Sequence, residues 1–108
     1  MAIPHASPGQ PIDIRPLGDS MQSARTMALI KTDELELMRL VLPAGKSVPP
    51  HKVPGAITIQ CLEGVISVTA AEQPQELRAG ELMLVPGGVL HSLLGITDAT
   101  VLVTIVLP

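Results

Sequence analysis

The chain has 108 residues, of which 46% are apolar and none is Phe, Tyr or Trp, and its formal net charge is −3. This length and apolar content predict one globular domain with one core, and they exclude a disordered segment. The weak negative charge is spread without runs of one sign, so it argues against binding to nucleic acid or to a membrane surface.

The first 23 residues are rich in Pro, Gly and Ser, and they predict an extended N-terminal arm (1–23) in which "PIDI" (11–14) could form an edge strand. The start lacks the apolar segment of a signal peptide, and no apolar run is long enough to span a membrane. The single cysteine, Cys61, cannot form an internal disulfide and fits a reducing compartment. We therefore expect a cytoplasmic protein.

From residue 24 to residue 108, short apolar runs are separated by turn residues at intervals of roughly eight to twelve positions, which is typical of β-strands. The runs at 25–32 and 34–42 predict one hairpin, and those at 56–62 and 65–70 predict a second, with Glu63 and Gly64 as its turn. Four further runs follow, at 75–80, 81–86, 91–96 and 101–107. Eight or nine short strands predict an all-β sandwich or barrel.

Two of these strands are apolar on both faces. In 81–85, Leu82 and Leu84 alternate with Met83 and Val85, and 101–107 contains a single polar residue, Thr104. Strands of this kind are usually covered on both faces. In so small a protein we expect the second cover to be another copy of the chain, which predicts a homodimer.

The segment "GELMLVPGGVLH" carries a motif with exact spacing. Gly80 is followed after five residues by Pro86, after one more by Gly88 and after two more by His91. Here Gly80 would permit the turn into a strand, Pro86 and Gly88 would shape the bend at its end, and His91 would begin the next strand. This motif resembles the second signature of the cupin family.

A second resemblance to the same family is partial. Gly45, His51 and Gly64 lie where the first cupin signature requires glycine, histidine and glycine, whereas Val53 and Ile57 lie at its second histidine and its glutamate. The resemblance covers roughly residues 25–107. It implies an all-β double-stranded β-helix, the jelly-roll barrel of cupins, in residues 24–108.

The resemblance also implies a metal site of three histidines and one glutamate, of which only His51 and His91 are present. We therefore expect a divalent transition metal (Zn, Ni, Fe, Mn or Cu) to bind weakly at most. Gln60 could add a ligand only if a β-bulge reversed its orientation. Glu63 and Cys61 lie too far along the strand, and His5 lies in the arm.

Three functions stay open from the sequence. In the first, the barrel binds a small, mostly apolar molecule in a cavity that includes His51, Val53, Ile57 and His91. The alternative is a metal-dependent enzyme of the dioxygenase, isomerase or decarboxylase kind that uses His51 and His91. A third possibility is an assembly module that binds no small molecule.

Overall fold

The computed structural model describes residues 5–108, so the first four residues of the predicted arm lie outside the described part. Within these residues a short 3-10 helix, Gly18–Ser23, precedes nine β-strands. The strands are β1 Met27–Lys31, β2 Leu35–Leu42, β3 Ser47–His51, β4 Ile57–Glu63, β5 Val65–Ala70, β6 Gln73–Arg78, β7 Leu82–Val85, β8 His91–Gly95 and β9 Ala99–Val106.

The strands form two antiparallel sheets, with the order β1-β2-β9-β4-β7 in one and β3-β8-β5-β6 in the other. Alternate residues of both sheets point inward and make an aliphatic core, as the burial pattern of β4 shows. This confirms the predicted all-β jelly roll. Residues 5–108 contain no helix with the length and apolarity needed to cross a membrane. The buried core is Leu42, Ile57, Ile59, Cys61, Ile66, Val68, Leu77, Val85, Leu93, Ala99, Val101 and Val103.

The second predicted hairpin is wrong in its pairing, although both of its strands exist. β4 pairs with β7 and β9, whereas β5 pairs with β6 and β8, so the chain passes from one sheet to the other at Gly64. A hairpin loop needs at least two residues to reverse the chain. Only Gly64 lies between these strands, with φ +80°, and it redirects the chain without reversing it onto its own sheet.

The sequence suggested a further edge strand at residues 11–14, but the structure forms its additional strand elsewhere. Residues 11–14 form no strand, while Ser47–His51, which contains Pro49 and Pro50, does. Proline is tolerated in an edge strand because its missing N–H can face away from the neighbour. β3 is the edge of its sheet and pairs only with β8, with an irregular register between Val48 and His51.

The carboxylate of Glu63 binds the arm to the first sheet, in addition to a backbone hydrogen bond from Ala6 N–H to the carbonyl oxygen of Leu29 at 2.9 Å. Glu63 accepts hydrogen bonds from the backbone N–H groups of Leu17 and Gly18 and from the hydroxyl of Thr100, at 2.7 Å for the last. Burial alone would raise the pKa of Glu63, but these hydrogen bonds and the positive charge of Arg39 outweigh it, so the pKa lies below its ordinary value of 4.5. The ionised carboxylate therefore stabilises the folded chain.

We expect Glu63→Gln to lower the free energy of unfolding by about 2 kcal/mol at pH 7, since hydrogen bonds to a charged acceptor are lost. Because the folded-state pKa is depressed, the stabilisation exists above the unfolded pKa and is lost as the pH falls through the folded one. The difference from the unmodified protein should thus shrink below about pH 4.5. Urea unfolding followed by circular dichroism measures it. Glu34→Gln, at an exposed position, is the control, and an equal loss at pH 7 and pH 3 would contradict the assignment.

Candidate functional site

The two motif histidines meet because their strands are neighbours. In the ladder between β3 and β8, His51 lies directly opposite His91. Residues opposite each other on adjacent antiparallel strands project from the same face of the sheet. Their ring centroids are 4.4 Å apart and the ring planes are inclined by 55°. Two residues forty positions apart in the chain thus form one polar pair.

The two imidazoles differ in exposure. β8 lies between β3 and β5, and His91 is only 3% exposed, whereas His51 ends the edge strand β3 and is exposed. Each ring is oriented in the same way, by a hydrogen bond between its Nδ1 and the carbonyl oxygen two residues earlier. The partners are Pro49 for His51, at 3.1 Å, and Val89 for His91, at 3.0 Å. The exposed His51 therefore lies at the entrance of the site, and the buried His91 forms part of its wall.

Both rings line a cavity of about 210 Å³ between the two sheets. Every other side chain around it is aliphatic or a thioether, so the cavity is apolar apart from the histidine pair. Its lining comprises Met38, Leu40, Val48, His51, Val53, Ile57, Ile59, His91, Leu93, Val103 and Ile105.

The structure brings together the four residues proposed to contact a ligand, namely His51, Val53, Ile57 and His91. Val53 lies in the loop between β3 and β4, and its carbonyl oxygen accepts a hydrogen bond from Gly88 N–H at 2.8 Å. This bond joins the two motif loops at the mouth. Ile57, 3% exposed, begins β4 and points inward.

Gln60 does not reach this cavity. On β4 the residues Ile57, Ile59 and Cys61 are buried inward, so Gln60 faces the other side of the sheet, between Leu82 and Leu102. The irregularity in β4 comes only between Cys61 and Glu63, beyond Gln60, and leaves its orientation unchanged. The prediction that Gln60 could add a metal ligand is corrected accordingly.

The two histidines do not fit a tight metal site. Across residues 5–108 no group of three or more His, Cys, Asp and Glu side chains is placed to hold a metal ion. A catalytic zinc normally has three protein ligands, and non-haem iron requires a carboxylate beside two histidines. Cys61 is fully buried, and its burial raises the pKa of the thiol, which disfavours the thiolate that binds metals.

The sequence did not predict several of the residues that line the cavity. Met38 and Leu40 of β2, and Val103 and Ile105 of β9, line the cavity through the pairing of these strands. Their parity is visible in the sequence, because each pair is separated by one residue. β2 has one charged residue on each face, Glu36 and Arg39, and β9 is largely apolar on both faces, so parity alone does not tell which face lines the cavity.

The model of the cupin domain family matches residues 38–107. Among solved structures, a conserved protein of unknown function from Streptococcus pyogenes has a TM-score of 0.79 at 19% identity, covering 100% of this chain and 98% of the other. A cupin superfamily protein from Desulfitobacterium hafniense has the same score and identity and covers 100% of both chains. KdgF from Halomonas sp. has a TM-score of 0.70 at 16% identity over 77% of each chain. Identities this low show a shared fold only. No curated protein matches the chain.

Proposed function

We propose that this chain, which belongs to the cupin domain family, binds a small, mostly apolar molecule in the cavity between its two sheets. The observation that carries the proposal is the lining, in which a single pair of histidines lies among nine aliphatic or thioether side chains. Ligand sites commonly combine an apolar wall with a few polar groups that set orientation. The cavity exceeds the roughly 150 Å³ that suffices for a benzene ring. We place this binding in the cytoplasm, with Cys61 reduced.

The histidine pair would orient the ligand and leave its apolar part toward the interior. His91, on a central strand, would contact the polar group directly, while the exposed His51 would border the entrance. A transition metal at the same pair would have two protein ligands and otherwise water, so we expect weak binding. This favours the binding protein over the metal-dependent enzyme.

A panel of small aliphatic alcohols, ethers and acids tests the proposal, with binding followed through the methyl NMR signals of Ile57, Ile59 and Val103. We expect at least one compound to shift these signals. Val48→Phe should abolish the shift because the larger ring fills the cavity. The control is Leu84→Phe, because Leu84 is 64% exposed on the outer face of the five-stranded sheet, away from the cavity. No shift with any compound, or shifts confined to other methyl groups, would refute the proposal.

We further propose that two copies of the chain associate through the outer face of the five-stranded sheet. Leu82 and Leu84 of the edge strand β7 are 63% and 64% exposed there. β9 contributes less than the sequence suggested, since residues 99–103 are already buried within one chain. The patch around β7 is uncharged, and a two-fold interface places such a patch against itself without repulsion. Its members are Thr58, Gln60, Leu82, Leu84 and Thr104.

We expect a dimeric mass by light scattering at micromolar concentration, and a monomeric mass for Leu84→Glu, because a two-fold axis near β7 would bring two carboxylates together. Leu94→Glu, at another exposed leucine on the other sheet, should remain dimeric. A monomeric unmodified protein would refute the association, and a dimer that persists in Leu84→Glu would exclude this face.

A further inference from the structure

The hydrogen bonds of the two imidazoles determine which nitrogen carries the proton. In each ring Nδ1 faces a backbone carbonyl oxygen, that of Pro49 for His51 and that of Val89 for His91. A carbonyl oxygen can only accept a hydrogen bond, so Nδ1 must donate. A neutral imidazole has a single N–H, and its other nitrogen then carries a lone pair. In the neutral state both Nε2 atoms are therefore acceptors.

The cavity offers these acceptors no donor of its own. Within residues 5–108, neither Nε2 has a hydrogen-bond partner, and the remaining wall side chains are Met, Leu, Val and Ile. Arg39 stands between the lining residues Met38 and Leu40, but it faces the other side of the sheet, toward the arm. The other charged groups near lining residues are Lys52, which is exposed, and Glu36 of β2, which pairs with Ile105. None of these three lines the cavity. The buried polar end of the site therefore accepts hydrogen bonds and donates none.

We infer that the polar group of the ligand is a hydrogen-bond donor, namely the hydroxyl of a compact aliphatic alcohol. This inference rests on the proposed function and adds the class of ligand. A hydroxyl would donate to Nε2 of the buried His91, while Nε2 of the exposed His51 can be hydrated. An ether leaves the buried acceptor without a partner, and a carboxylate adds a second acceptor beside it. A site that bonds one particular polar group rejects analogues that lack it.

The test compares three probes that share one ring: cyclohexylmethanol, its methyl ether and cyclohexanecarboxylate. Calorimetry at pH 8.5, above the range in which histidines ordinarily titrate, should show the alcohol binding about tenfold more tightly than either analogue, because an unpaired buried acceptor is costly. Equal affinity for the ether, or tighter binding of the carboxylate, would overturn the inference. Binding by none of the three would count against the proposed function instead.

The tautomers can be measured without any ligand, which keeps the two proposals separable. Nitrogen-15 NMR of the free protein at pH 8.5 should show the Nδ1–H form for His51 and His91, and the Nε2–H form at His91 would overturn the inference even if a ligand binds. His91→Leu should bring the alcohol and the ether to similar affinities, provided that it folds. His5→Leu, at the exposed third histidine, should retain the preference for the alcohol.

Discussion

The double substitution Val53→His with Ile57→Glu should increase the affinity for Ni²⁺ or Zn²⁺ on the order of a hundredfold or more. Both positions line the same cavity as His51 and His91, so the new groups would join two imidazoles whose Nε2 atoms have no partner among residues 5–108. Four ligands, three on strands and one in the loop between β3 and β4, neutralise part of the charge of the ion and replace its water. Calorimetric titration of the unmodified and the double variant measures the change.

The same experiment has an internal check on stability. Ile57 is 3% exposed, and a carboxylate there without metal should destabilise the fold, since burying an unpaired charge is costly. Added metal should then raise the melting temperature of the variant far more than that of the unmodified chain. The same double substitution in a His51→Leu background should lose most of the gain. Sub-micromolar affinity in the unmodified protein would instead favour the metal-dependent enzyme.

Gly64→Ala should be strongly destabilising, with a cost of about 4 kcal/mol or more, which for a domain of this size lowers the melting temperature by roughly 15 °C or more. Gly64 has φ +80°, and a Cβ there would overlap the backbone oxygen of Asp98 and lie 2.9 Å from Cβ of Ala99. The overlap involves backbone on the neighbouring segment, so it cannot be relieved by a rotamer change.

Gly45→Ala is the matched control for this prediction. Gly45 belongs to the same motif and has a similar φ of +86°, but a Cβ there would have no atom of the described residues within 4 Å beyond its chain neighbours. It should cost only the strain of the left-handed backbone, about 1 to 2 kcal/mol. Thermal unfolding followed by circular dichroism compares the two variants. If they lose the same stability, the close approach of the two segments at Gly64 is not what requires glycine there.

The sequence by itself determined the class of fold and eight of the nine strands that residues 5–108 form. Apolar residues that alternate between turns predict strands because side chains of a strand point to opposite faces. The spacing of Gly80, Pro86, Gly88 and His91 identified the family. The same comparison showed that Val53 and Ile57, which have no lone pair to donate, stand at two ligand positions. The strands follow from residue type and spacing, whereas the ligand positions are what the resemblance to the cupin signatures implies.

The tertiary structure alone decided the pairing of strands and the faces they present. The predicted β4–β5 hairpin became a crossing between sheets because one residue, Gly64, separates the strands. The proline-containing β3 could be recognised as a strand only beside its partner β8. That ladder also buries His91 and exposes His51, a difference that two similar local motifs do not reveal. Pairing and burial depend on residues far apart in the chain. A local sequence pattern therefore cannot predict which distant segment covers a given face of a strand.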